Sequence, residues 1–152
     1  MNQYMTRVKI VTLSSVAPRK IAESFIGPYY DPEGRDPDWN TWLAQIQPGG
    51  QAEQIGVWEV EPATTVKRIA GIILHTILLP AQFESLIERT EQGEDVGLLT
   101  DSRPNHFFVR TERRDNGGIA LGIAPKVNGL WRVSLSTCGL TSDKLRSGTF
   151  FS

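Results

Sequence analysis

The segment NHFFVRTERRDNGGIALGIAPKVNGLWRVSLST, residues 105–137, decides how this chain is read. It holds two Asn-Gly dipeptides, Asn116-Gly117 and Asn128-Gly129, each set between runs that alternate apolar and polar residues. Both residues tolerate the positive φ of a type I′ turn, which makes the pair the strongest short-range signature of a β-hairpin. Three strands are predicted, at about 105–112, 118–124 and 130–137, joined as an antiparallel meander. Period-two alternation then assigns each side chain to a face. Ile119, Leu121 and Ile123 share one face, as do Trp131, Val133 and Leu135, and these faces are expected to form core. Opposite them stand Ala120, Gly122 and Ala124, then Arg132, Ser134 and Ser136. A sheet face of small residues with arginine and hydroxyls lets another backbone approach closely.

Working outward, residues 7–13 and 54–61 alternate and read as strands, and 96–100 as a further one. Residues 65–79 are apolar on all sides after Ile69, and their isoleucines and valines favour a buried strand with Gly71 as a bulge. Three helices are expected. Ser14, Ser15 and Pro18 open a short one that carries Ile21 and Phe25 and stops at Gly27. Asp36 caps the second, with Pro37 at its first position and Trp39, Trp42, Leu43 and Ile46 on one stripe. The third starts at Pro80, turns Phe83, Leu86 and Ile87 inward and ends at Gly93. The tail 139–152 is expected to dock through Leu140, Leu145, Phe150 and Phe151. With no repeat or composition break, residues 1–152 read as a single α+β domain. It comprises an antiparallel sheet, a C-terminal three-stranded meander and two or three covering helices.

The run His75-Thr76-Ile77-Leu78-Leu79-Pro80-Ala81-Gln82-Phe83-Glu84-Ser85-Leu86-Ile87, followed by Gly93 and Val96, resembles small uncharacterised proteins of phage and plasmid type. In those a strand leads directly into a Pro/Ala-Gln-Phe helix and then another strand. The resemblance spans residues 57–100, carries no activity over, and implies an accessory protein of a mobile element.

Composition bounds the function. Hydrophobic residues make up 39% and charged residues 22%, the balance of an ordinary folded domain. A net charge of −1 argues against a whole-surface attraction to nucleic acid or anionic membrane. Residues 1–10 lack the apolar core of a signal peptide, and the run 69–79 is too short to span a bilayer, so a cytoplasmic protein without membrane contact is expected. The lone Cys138 forms no internal disulfide and fits a reducing compartment.

Candidate chemistry is sparse. His75 lies among Ile72, Ile73, Leu74 and Ile77 and reads as a hydrogen-bonded core histidine. His106 alternates with Phe108 and Arg110 and reads as exposed. Neither histidine starts a His-x-Ser/Thr motif, and no His-Glu-x-x-His, paired Cys-x-x-Cys, phosphate loop or Gly-x-Ser-x-Gly elbow occurs. The acid loop Asp31–Asp38 departs from the calcium-hand pattern, with Arg35 and Asp36 where an oxygen ligand and glycine belong. No metal, cofactor or catalytic residue is assigned. The leading expectation is a non-catalytic protein that binds another macromolecule, a protein first of all, as an inhibitor, immunity or accessory protein of phage or mobile-element type does. Its candidate surfaces are the uncharged helix face of Asn40, Thr41 and Gln45 and the sheet face edged by Arg110, Arg113, Arg114, Arg132, Ser134 and Ser136. Two alternatives stand beside it: a nucleic-acid binder using those arginines as a local basic patch, and a small enzyme centred on His106 with Glu112 nearby. Oligomeric state is left open.

Overall fold

The computed structural model describes residues 5–17, 19–20, 24–33, 46–47, 50–60, 78–110, 119–136 and 148–151. Its strands are β1 (Met5–Leu13), β2 (Arg19–Lys20), β3 (Ile46–Gln47), β4 (Glu53–Val60), β5 (Asn105–Arg110), β6 (Ile119–Ile123), β7 (Lys126–Val127), β8 (Leu130–Trp131), β9 (Ser134–Ser136) and β10 (Gly148–Phe151). The helix α1 (Pro80–Glu91) lies between β4 and β5 in the chain. Six strands form the main sheet in the order β1-β4-β10-β5-β6-β9, and β2-β3 and β7-β8 form two small ribbons.

Long strands at β1 and β4 follow from their alternation, and they pair antiparallel from Leu13↔Glu53 to Met5↔Val60. The register slips between Arg7 and Lys9, leaving Val8 as the extra residue of a β-bulge. Strand β10 fills the place between β4 and β5. It runs antiparallel to the first and parallel to the second, so the sheet is mixed. One side of this sheet carries Val11, Ile55, Val57, Phe107, Val109 and Phe151, all in the core cluster with Phe83, Leu86 and Ile87 of α1. Phe83 stacks on Phe107 with ring centroids 3.9 Å apart and meets Phe151 edge-on at 5.5 Å.

Pro80 occupies the first turn of α1, where its missing N–H leaves no helical bond unmade. The Gln82 side chain accepts from the backbone N–H of Leu79, satisfying a donor at the helix start. Gly93 lies beyond the last turn at φ +93°, where a side chain would be strained. The first two turns are embedded, with Pro80, Ala81, Gln82, Phe83 and Glu84 all buried.

The expectation of a C-terminal three-stranded meander under two or three helices is overturned. Among the described residues α1 is the one helix, and the architecture is mainly sheet. The predicted helix from Ser14 fails because Val16 bridges to Gly50 and β2 pairs with β3, contacts that sequence-local signals do not contain. Ile46 belongs to β3 rather than to a helical stripe, and the rest of that predicted helix lies outside the described residues, as do 61–77. Residues 96–100 are not a strand: Asp95 accepts from the N–H of Gly97, which turns the chain at φ +93°.

The meander itself breaks at Pro125. A proline donates no ladder bond, so β6 ends after the Ala124 N–H reaches the Asn105 carbonyl. Asn128 (φ +52°) and Gly129 (φ +83°) adopt the turn conformation their dipeptide predicts, but they cap the two-residue ribbon β7-β8. β6 pairs instead with β9, opposing Leu121 to Ser136 and Ile123 to Ser134. Ser134 therefore shares the side of Ile123, the side that the alternation reserved for core residues. A one-residue slip of this kind reverses every side-chain assignment. The stretch 111–118, with Asn116-Gly117, lies outside the described residues.

Candidate functional site

The expected sheet face of small residues does not form an open surface. Gly122 and Ala124 are buried, and a methyl group on Gly122 would lie 2.4–2.7 Å from ring atoms of Phe107. Gly122 is small because a core phenylalanine lies over it. Arg110 ends β5 opposite Ile119, two strands away from β9. Arg132 lies outside the strands, exposed, with its Nε 3.3 Å from an Asp31 carboxylate oxygen. Ser134 is half-buried, and of Ser136 the structure describes the backbone position. Asn40, Thr41, Gln45, Arg113 and Arg114 lie outside the described residues, as does His75.

His106 is not exposed, as its alternation with Arg110 suggested. It is 2% accessible, and its Nδ1 lies 2.9 Å from the Thr149 carbonyl. Burial, opposed by that bond, brings its pKa down from 6.5 to about 4, so the ring is neutral near pH 7 and donates to Thr149. Sequence alternation failed here because both faces of β5 are covered: Phe107 and Val109 on one side, His106 and Phe108 on the other. Next to it Asn105 is a fully engaged staple. Its carboxamide accepts from the Leu99 N–H (2.9 Å) and the Thr149 hydroxyl (2.6 Å) and donates to the Leu99 (3.1 Å) and Ala124 (2.9 Å) carbonyls. These groups lock β10 to β5. Their bonds are those of a structural junction.

Two further polar clusters hold the ends of α1. The Glu84 carboxylate accepts from the backbone N–H of Phe25, a buried residue at φ +59°. At the other end Glu91 Oε1 accepts from the Trp131 indole (2.8 Å) and from Lys126 (2.8 Å), and the lysine hydrogen bond holds the carboxyl below its ordinary pKa. Among the described residues no three His, Cys, Asp or Glu side chains are grouped as a metal site requires. No helix among them is long and apolar enough to cross a membrane.

The opposite end of the sheet differs. On the side of β1 and β4 away from α1, the register places Arg7 beside Trp58, Ile10 beside Gly56 and Thr12 beside Gln54. Ile10 is 51% accessible, and the bulged Val8 is 55% accessible. Trp58 folds back along its own strand: a methyl group on Gly56 would lie 2.7 Å from the indole nitrogen and 3.3 Å from Cδ of Arg7. Glycine at 56 is what lets the indole and the arginine stem lie low on the sheet. Neighbouring cations are engaged elsewhere. Lys9, on the helix side by register with Val57, reaches the Asp95 carboxylate at 3.4 Å, and Arg89 donates to the Thr12 carbonyl at 2.7 Å. Arg7 is exposed and makes no ion pair among the described residues.

This patch of Arg7, Ile10 and Trp58, with Val8 in the bulge, was missed in the sequence. Alternation places Trp58 and Val60 together on one side of β4, but nothing local says that β1 lies beside them or that this side is open. Comparison with protein-family models, with curated proteins and with solved structures gave no match for the chain.

Proposed function

We propose that the chain is a non-catalytic protein that binds another protein through the open β1–β4 face, as an inhibitor, immunity or accessory protein does. One observation carries the reading: the half-exposed Ile10 stands beside the partly buried Trp58 and the exposed Arg7, which has no carboxylate partner among the described residues. Single exposed aliphatic residues are ordinary. Tryptophan and arginine, however, are the residues most enriched where interface energy concentrates, and here they flank the aliphatic group. The mode of contact follows from the backbone. β1 is the outermost strand among the described residues, which would invite strand addition. The Val8 bulge and the charged residues Arg7 and Lys9 interrupt that edge, so contact is made by side chains on the face.

The test is affinity capture from the native lysate with the wild-type chain and with Ile10→Asp, both checked for folding by circular dichroism. The reading expects a specific polypeptide held by the wild type and lost from the variant. Equal capture by both chains, or none by either, would refute it.

A further inference from the structure

We infer that the β1–β4 face selects a partner segment pairing an acidic side chain with an apolar one: a carboxylate against Arg7 and an aliphatic or aromatic group over Ile10. This rests on the reading of that face as the interface and goes further by fixing the partner's chemistry. Three observations support it.

The first is charge. By register this side of the two strands presents Arg7, Ile10 and Thr12 from β1 and Gln54, Gly56 and Trp58 from β4, and Arg7 is the charged member of that set. Among the described residues the nearby acids belong elsewhere: Asp95 accepts from Lys9, and Glu53 and Glu59 face the other side through Leu13 and Thr6. The described residues of this face therefore carry one positive charge and no negative one, although the whole chain carries −1. Complementary charge gives an interface its specificity and register.

The second is the state of the arginine. Arg89 and Arg103 are already held by Glu94 and Asp101 at 2.8 Å. Arg7 has no such carboxylate among the described residues, and its planar fork of donors suits one bidentately. The third is support. Arg7 Cδ and the Trp58 indole both lie close over Gly56, so the stem is backed by the sheet. Part of the entropy of ordering a long side chain is thereby removed before binding.

The probe is a phage-displayed library of random linear peptides, selected on the immobilised full chain. Enriched peptides are synthesised and titrated against wild type, Arg7→Gln, Ile10→Asp and the milder Ile10→Thr, which keeps a β-branched residue in the strand. The inference expects a motif with Asp or Glu next to an aliphatic or aromatic residue. Arg7→Gln should weaken binding about tenfold, and both Ile10 variants should weaken it. Raising salt from about 50 to about 500 mM should weaken wild-type binding and leave Arg7→Gln little changed. Peptides that depend on Ile10 but carry no acid, or ignore Arg7→Gln, would overturn the inference and leave the protein-binding reading standing. Absence of any Ile10-dependent peptide would overturn both. A labelled single-stranded oligonucleotide that binds through Arg7 would overturn both in favour of nucleic acid.

Discussion

Replacing Gly122 with alanine should cost the fold more than any surface change of equal size. The added methyl would sit 2.4–2.7 Å from the far end of the Phe107 ring, well inside contact distance. The ring has little room to withdraw. It is stacked on Phe83 at 3.9 Å with planes 12° apart, Phe25 lies 6.4 Å away, and both Phe83 and Phe107 are fully buried. Overpacking a closed core in this way costs about 1–3 kcal/mol. Loss of glycine's flexibility in the unfolded chain offsets about 0.4–1 kcal/mol of it. Because the ring cannot withdraw, the upper half of the overpacking range applies, and a net loss of about 1–2 kcal/mol lowers the melting temperature of a domain this size by roughly 2–8 °C. The decisive form is a double-mutant cycle with Phe107→Leu, followed by urea denaturation. Leucine lacks the ring atoms that the new methyl would strike, so Gly122→Ala should become neutral or stabilising in that background. The coupling between the two sites is expected at about 1–3 kcal/mol. Strict additivity, or a Gly122→Ala stability within about 0.5 kcal/mol of wild type, would refute the packing argument.

Three other predictions follow from the polar clusters. Asn105→Ala leaves both Leu99 backbone groups and the Thr149 hydroxyl without their Asn105 partner, while the Ala124 carbonyl keeps the backbone N–H of residue 105, and should cost about 3 kcal/mol by urea denaturation; Thr149→Val, which removes one of those donors, should cost about 1–2 kcal/mol. His106 has a folded pKa of about 4 against an ordinary 6.5, so the unfolded chain takes up its proton first. Its contribution is intact above pH 6.5 and falls with pH by up to ~1.4 kcal/mol per unit until about pH 4, a slope His106→Gln should lack in denaturation at stepped pH. Glu91 also has a lowered pKa, held down chiefly by the Lys126 hydrogen bond, which for a carboxyl favours the charged form. Its stabilisation is full above the unfolded value of 4.5 and is lost as pH falls through the folded value, so the stability gap between wild type and Glu91→Gln should close on acidification.

Local chemistry was readable and long-range pairing was not. The proline start of α1, the glycine at its end and the left-handed Asn128-Gly129 turn all follow from backbone properties of single residues, and the residues adopt those conformations. What the turn connects depended on Pro125, whose missing donor released the chain from the sheet before the turn was reached. The consequent change of register moved Ser134 to the other face and dissolved the expected small-residue surface. Strand β10 could not be placed from its own residues, because its partners Val57–Val60 and Asn105–Phe107 are remote in sequence. The same remoteness hid the site. Trp58 and Ile10 each fit an alternating strand, but only the β1–β4 register, with its bulge at Val8, sets the exposed Arg7 and Ile10 and the partly buried Trp58 on one side of the sheet.

The most direct test of that face is backbone amide hydrogen exchange on the full chain, alone and saturated with the polypeptide that it captures. Binding through the open face predicts added protection concentrated at residues 6–12 of β1 and 54–58 of β4, with the buried β5–β6 pair unchanged. Protection confined to the loop 24–33 or to β7-β8, with β1 and β4 unaltered, would contradict it.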